Sequence, residues 1–268
     1  MRSNTILALS LPLAALIIVA SSFGLLTTGF YTKETPDWAA QSIGQDIIDL
    51  FLVTPALIIT TLFVRRKSKT AMMLWAGINL YLVYTFIIYC FDVHFNKLFL
   101  VYSFALGLSF YSFAYFLLSL VKEKITDWFD EKIPSRFIGI YFLLIPLMFY
   151  FLWLSEILPA IINNETPKSL KETGLFTNPV HVIDLSVFLP GLFLIGILLI
   201  KRKNIGLLLA PVVLTFFIIM DITIAGLIVV MKMRGIKSDY IVTIVMSSLA
   251  VLSAVLLIVC LRSIKKST

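Results

Sequence analysis

The stretch "DIIDLFLVTP" (residues 46–55) is echoed half a chain later by "HVIDLSVFLP" (residues 181–190). Each has an ionisable residue, an aspartate three positions later, and a proline six positions after that aspartate. Each leads through about ten apolar residues into a basic triplet, at 65–67 and at 201–203. Charged residues are rare in apolar helices because they are expensive to place there, so the duplication predicts two related helices with polar residues at matched positions.

The composition around these phrases is that of a membrane protein. The chain has 268 residues, of which 60% are hydrophobic and 14% are charged, and its mean hydropathy is +1.00. A water-soluble domain of this length cannot bury so much apolar surface. We therefore predict an all-α polytopic membrane protein with about eight transmembrane helices, because a helix satisfies its own backbone hydrogen bonds in lipid. The predicted spans are 5–30, 45–64, 71–91, 98–121, 137–158, 180–200, 205–231 and 240–261.

The echo extends over most of each half of the chain. Pro55 and Pro190 are 135 positions apart, and the other matched features keep an offset of 134–136. We predict two four-helix repeats, residues 1–134 and 135–268. Four is an even number, so both halves enter the bilayer from the same side, as in repeats related by an axis along the membrane normal. Chance similarity between apolar helices is the alternative.

Basic residues predict the orientation. With the N-terminus inside, 15 of the 22 lysines and arginines lie on the cytoplasmic side, which favours cytoplasmic termini. The basic inner face suits an anionic leaflet, so the pI of 9.4 does not point to nucleic acid. The first span is expected to be retained, since its apolar core is too long for a signal peptide and no clear cleavage site follows.

The candidate site consists of ionisable residues inside or beside the spans. Asp46 and Asp49, and likewise His181 and Asp184, are three positions apart and share a helix face. If helices two and six both face the repeat axis, these four side chains converge. Asp221 lies in the seventh span and is a further candidate for binding an ion or substrate.

Structural interpretations compete with this one. Asp46 and Asp49 can be acids near a helix N-terminus, where the helix dipole favours negative charge. Trp38, Tyr31 and Trp153 are typical of an interfacial aromatic belt. Small residues on a helix face predict close packing against another helix. The residues concerned are Ser103, Gly107, Ser247, Ala250 and Ala254. Pro55 and Pro190 are expected to bend their helices.

The same side chains define the cofactors that are chemically reasonable. Asp46, Asp49, His181 and Asp184 offer up to four ligands for a divalent metal, and Asp92 and His94 could add two more. With only two histidines in the chain, a three-histidine zinc site is excluded. No Walker A, dinucleotide-binding glycine pattern or Cys-x-x-Cys motif is present.

Three phrases resemble a known group of proteins. "WAAQSIGQDIIDLFLVTP" (38–55), "FNKLFLVY" (95–102) and "NPVHVIDLSVFLP" (178–190) are similar to those of an uncharacterised group of bacterial multi-pass membrane proteins. The resemblance implies a bacterial inner-membrane location. No activity is established for that group, so the resemblance assigns no roles to residues.

Three functions fit these features. The first is a small transporter or permease that binds a cation, or a proton with a small solute, at an outward-facing Asp/His site. The second is a membrane-embedded metal enzyme that acts on a lipid or envelope substrate. The third is a non-catalytic sensor or assembly subunit in which the acids are structural.

Overall fold

The computed structural model describes residues 2–265. Within them, eight helical stretches are long and apolar enough to cross a membrane, which confirms the all-α polytopic class. The helices are α1 (Ser3–Leu26), α2 (Pro36–Ile48), α3 (Thr54–Arg65), α4 (Lys69–Phe91), α5 (Phe99–Leu120), α6 (Ser135–Ile162), α7 (Lys168–Thr173), α8 (Pro179–Ile183), α9 (Leu189–Ile200), α10 (Asn204–Met233) and α11 (Tyr240–Arg262). Met1 and residues 266–268, at the ends of the predicted repeats, lie outside the described residues.

The second span begins at Pro36 and not at residue 45 as predicted. The Thr35 side chain caps α2 by accepting a hydrogen bond from the Trp38 backbone N–H (3.3 Å), and Pro36 occupies the first turn, where its missing N–H is harmless. The sequence placed the start too late because polar residues in the first three turns of α2 lower the mean hydropathy of that segment. Asp46 lies ten residues past the start, so its interpretation as an acid at a helix N-terminus is wrong.

Both echoed phrases contain a π-helical turn that ends two residues before the proline. The turns are Asp49–Val53 and Asp184–Phe188, and they join α2 to α3 and α8 to α9 without a break. A proline in a helix lacks one N–H donor and clashes with the carbonyl four residues earlier. A π turn is wider than an α-helical turn, so it accommodates both the missing donor and the clash. Such turns are frequent at functional sites. Each π turn begins at an aspartate, and the predicted bends at Pro55 and Pro190 stay predictions.

The basic triplets also end their helices in the same way. Lys67 and Arg202 both have positive φ values, of 61° and 51°. In each case the following residue donates its N–H to the carbonyl five residues back, Ser68 to Phe63 and Lys203 to Leu198. This is the geometry of a left-handed C-terminal cap. The two phrases thus share backbone features at a constant offset of 135 positions.

The chain divides into two compact units. Unit 1 comprises residues 2–123 and 211–261, and unit 2 comprises residues 124–210 and 262–265. The units do not follow the expected boundary at residue 134. The two-fold relation between residues 1–134 and 135–268 stays a prediction.

In unit 1, α4 is the central helix. Its apolar stretch is 72% buried, and it packs against α3 and α5. A Cβ atom on Gly77 would lie 2.6 Å from the Val212 carbonyl oxygen, so α4 and α10 approach backbone to backbone there. Because lipid provides no hydrophobic drive for helix association, such close packing is what holds membrane helices together.

In unit 2, α6 and α9 form the main helix pair. Gly139 and Gly196 face each other, since a Cβ on either would lie within 2.9 Å of the other's carbonyl oxygen. The predicted close contact at Gly107 is wrong, because a Cβ there would meet nothing within 4 Å. Small residues are needed where two backbones meet, and a single sequence does not reveal which small residues those are.

Candidate functional site

Asp46 is the centre of a hydrogen-bonded network in unit 1. Its side chain is 1% exposed. The Tyr31 hydroxyl donates to Oδ2 (2.7 Å), and the Tyr89 hydroxyl donates to Oδ1 (2.8 Å). Ser21 of α1 lies near the same carboxyl. The carboxyl of α2 is therefore held by two neutral hydroxyls, one from the 27–35 connection and one from α4.

Asp49 lies one turn further along and is held in the same manner. It is 2% exposed, and its Oδ1 accepts a hydrogen bond from the Tyr81 hydroxyl (3.0 Å). The Gln45 amide donates to the same hydroxyl (2.6 Å), and Thr223 of α10 lies 3.0 Å from it. The sequence predicted that Asp46 and Asp49 share a helix face, and both do project into this buried network.

The two carboxyls form no ion pair within residues 2–265. The salt bridges in this part of the chain join His94 to Glu34 and Lys168 to Glu172. An uncompensated charge inside a membrane is expensive, and hydroxyl donors compensate it less fully than a cation does. We name the side chains of Asp46, Asp49, Tyr31, Tyr81, Tyr89 and Gln45 the acid–tyrosine network.

Tyr31 belongs to this network and not to an aromatic belt. Its ring is 6% exposed, so the belt interpretation is wrong at this position. Burial raises the pKa of its hydroxyl, and the neighbouring Asp46 raises the pKa further. The hydroxyl therefore stays protonated and donates a hydrogen bond to the carboxyl. The residue lies outside the spans, in the connection between α1 and α2.

A second group of ionisable side chains lies at the rim of unit 1, where the 27–35 and 92–98 connections meet. Glu34 accepts two hydrogen bonds from His94, one from the backbone N–H and one at the ring Nδ1, both 2.9 Å. The Glu34 side chain is 3% exposed, whereas that of His94 is 53% exposed. Asp92 is buried, and its Oδ2 has no hydrogen-bond partner in the described chain. We name Glu34, Asp92 and His94 the rim cluster.

Asp92 gives the stability of the protein a defined pH dependence. Burial, and then the negative charge of Glu34, raises the pKa of Asp92 to about 7. The unfolded chain releases the same proton near pH ~3.9. Between these values the folded state binds more protons, so the Asp92 contribution lowers the free energy of unfolding as the pH rises.

We expect this contribution to disappear in Asp92→Asn. Thermal unfolding in detergent should show the variant gaining stability relative to the wild type as the pH rises from about 4 to about 7. The Trp38 indole N–H donates to the Asp92 backbone carbonyl (3.0 Å), which the substitution leaves in place. A stability difference that does not change with pH would contradict the assignment.

The second phrase forms its own buried pair in unit 2. His181 and Asp184 are 7% and 6% exposed. The Trp153 indole N–H donates to Asp184 Oδ2 (2.8 Å), and the same ring lies against His181, with centroids 4.5 Å apart. Trp153, which is half-buried, therefore contacts both members of this pair, and its place in an aromatic belt stays a prediction. Glu156 of α6 is near enough to His181 to act on it electrostatically.

The Asp/His face was expected to be shared between the two halves. Asp46 and Asp49 belong to unit 1, and His181 and Asp184 belong to unit 2. Their convergence stays a prediction. Asp221 is buried in α10, two residues from Thr223, and within residues 2–265 it forms no hydrogen bond or ion pair with either acid of the network. In the same part of the chain, no three His, Cys, Asp or Glu side chains are grouped as metal ligands.

Sequence reasoning missed Tyr81 and Glu34. Tyr81, Thr85 and Tyr89 lie on one face of α4 at four-residue spacing, and that pattern was the available signal. Glu34 sits in a short connection, and nothing in its local sequence marks it.

No protein family, curated protein sequence or solved structure matches the chain. The fold and the site by themselves define a multi-pass helical membrane protein with a buried acid–tyrosine network in one of its units.

Proposed function

We propose that the chain is a proton-translocating, transporter-like membrane protein and that Asp46 and Asp49 carry the proton. One observation carries this proposal. Two carboxyls one helix turn apart are buried in a span and held by neutral hydroxyl and amide groups without an ion pair in the described chain. Protonation removes the charge that makes such a site expensive.

The donor set favours a proton over a metal cation. Both oxygens of Asp46 accept short hydrogen bonds from tyrosines, and each bond takes one of the two lone pairs of its oxygen. Sodium-like and divalent cations require several convergent oxygen ligands, whereas a proton requires one. Hydroxyls both donate and accept, so the tyrosines can pass a proton on.

The experiment that tests the site is an infrared titration of the protein reconstituted in lipid. The C=O stretching band of a protonated carboxyl is expected to disappear as the pH rises, and its amplitude is expected to fall in Asp46→Asn and in Asp49→Asn. Asp127→Asn is the matched control, because Asp127 is exposed in the 125–128 turn. Equal band amplitudes in the wild type and both buried variants would falsify the proposed site.

Several features support a two-repeat arrangement for this transporter. The π turns, the following prolines and the left-handed caps recur at an offset of 135 positions. The contacts at the echoed positions also correspond: Ser21 lies by Asp46, and Glu156, 135 positions later, lies by His181. We propose that His181 and Asp184 are the counterpart site of the second repeat.

We also propose a bacterial inner-membrane location with both termini in the cytoplasm. The connections after α3, α5 and α9 and the two ends of the chain, together with the helix turns that border them, contain 15 of the 22 basic residues. The excess of positive charge in these short segments supports that orientation. The rim cluster then faces the outer solution.

A further inference from the structure

A chain of proton-exchanging groups leads from the rim of unit 1 to Asp46. It begins at His94, the exposed member of the rim cluster, which is bonded through Nδ1 to the buried Glu34. It ends at the Tyr31 hydroxyl, which donates to Asp46 Oδ2. The side chain between these ends is that of Tyr102, which is 1% exposed.

Tyr102 is placed to link the two ends. Its hydroxyl lies near the Tyr31 hydroxyl and the Asn96 amide, and it is within electrostatic reach of Glu34 and Asp46. It satisfies the geometry of a hydrogen bond with none of these groups. A buried hydroxyl without a partner is unusual in a folded protein, and it can bind an internal water or accept a passing proton.

Asp92 provides a second group of the same kind. Its Oδ2 is buried without a partner, and Glu34 is close enough to act on it electrostatically. Two partnerless polar groups therefore lie beside Glu34, one in the 92–98 connection and one in α5. Seven buried polar atoms in the described chain lack a hydrogen-bond partner, and these two are the ones on which Glu34 acts electrostatically.

Building on the proposed function, we propose that the rim cluster loads protons from the outer solution onto Asp46. A proton that binds His94 Nε2 releases the Nδ1 proton to Glu34. Glu34 protonates Tyr102 as that hydroxyl passes its own proton to Tyr31, which in turn gives one to Asp46. Each hydroxyl gains one proton and loses one, and only N–H and O–H bonds are exchanged.

The groups that face the cluster are few. The Lys33 Nζ donates to the Phe95 carbonyl (2.9 Å). Lys97 lies over the Phe23 ring, at 4.8 Å from the centroid. Neither lysine forms a salt bridge in the described chain, so the carboxyl of Glu34 exchanges protons chiefly with His94 and with its buried neighbours.

The test is the rate of proton movement in Glu34→Gln, measured with a pH dye inside proteoliposomes under an imposed potassium diffusion potential. A relay group changes the rate at which Asp46 is protonated and not the equilibrium. We therefore expect the flux to fall about tenfold or more while the infrared band of the Asp46 carboxyl keeps its amplitude and midpoint. Glu34→Asp should restore part of the flux, because it restores a carboxyl.

His94→Gln is the second variant, since its exposed ring can be replaced without disturbing the core, and it too should slow the flux. Glu172→Gln is the matched control, because Glu172 is an exposed acid paired only with Lys168 in the described chain. Wild-type flux in both rim variants, with the Asp46 band present, would overturn this inference alone. Absence of both the band and the flux from the wild type would overturn it together with the proposed function.

Discussion

Proteoliposomes that contain the double variant Asp46→Asn, Asp49→Asn are expected to move protons at the rate of protein-free vesicles. The wild type should exceed that rate by about tenfold or more under the same diffusion potential. The physical reason is that both carboxyls are replaced by amides of nearly the same shape, which can still bond the hydroxyls of Tyr81 and Tyr89. The fold should therefore survive while the group that binds the proton is gone.

Each single variant separates the roles of the two acids. Loss of flux in each of the two single variants would show that both carboxyls are required in series, as their spacing of one helix turn suggests. Asp127→Asn in the same vesicles should behave as the wild type, because that carboxyl is exposed. A double variant with undiminished flux would exclude Asp46 and Asp49 as the proton carriers.

Gly24→Ala is expected to abolish function as completely as loss of the carboxyls. Gly24 of α1 lies directly against the network, and a Cβ there would overlap the Asp46 carboxyl and lie 2.8 Å from the Tyr31 hydroxyl. The added methyl group must displace one of these groups and break their 2.7 Å hydrogen bond. The infrared band and the flux should both change, although no ionisable group has been removed.

The control for this variant is the same substitution at Gly107 of α5. Alanine favours a helix over glycine by about 0.5–1 kcal/mol, so Gly107→Ala, which meets nothing within 4 Å, should be neutral or slightly stabilising. Gly24→Ala gains the same helix preference, and its loss of function would therefore come from the contact alone. A Gly24→Ala protein with wild-type flux would show that the Asp46 geometry is unimportant.

The candidate site could be predicted only in part. The spacing of Asp46 and Asp49 placed both on one helix face, and both prove to be buried. Their partners could not be predicted, because Tyr81 and Tyr89 come from another helix and are brought there by packing. The interpretation of Tyr31 as an interfacial aromatic ring was wrong, because its ring is buried and its hydroxyl donates to a buried carboxyl.

What the sequence determined by itself is the class of fold and the positions of the two phrases. Apolar length forces helices that span a bilayer, and a proline removes one helical hydrogen bond wherever it stands. These are consequences of covalent structure and of lipid as a solvent, so they need no tertiary information. The π turns before Pro55 and Pro190 were not determined in this way, because Pro12, Pro146, Pro159 and Pro211 stand in α-helices without such a turn.

Only the tertiary structure decided which side chains complete the site. Hydrogen bonds and close contacts depend on atoms a few ångströms apart, and those atoms come from residues far apart in the chain. Gly24 and Tyr31 surround one carboxyl because α1 packs against α2. Glu34 joins the rim because two short connections meet there. The sequence placed the Asp46 carboxyl inside a helix, and the packing of the helices brought the hydroxyls of Tyr31 and Tyr89 to it.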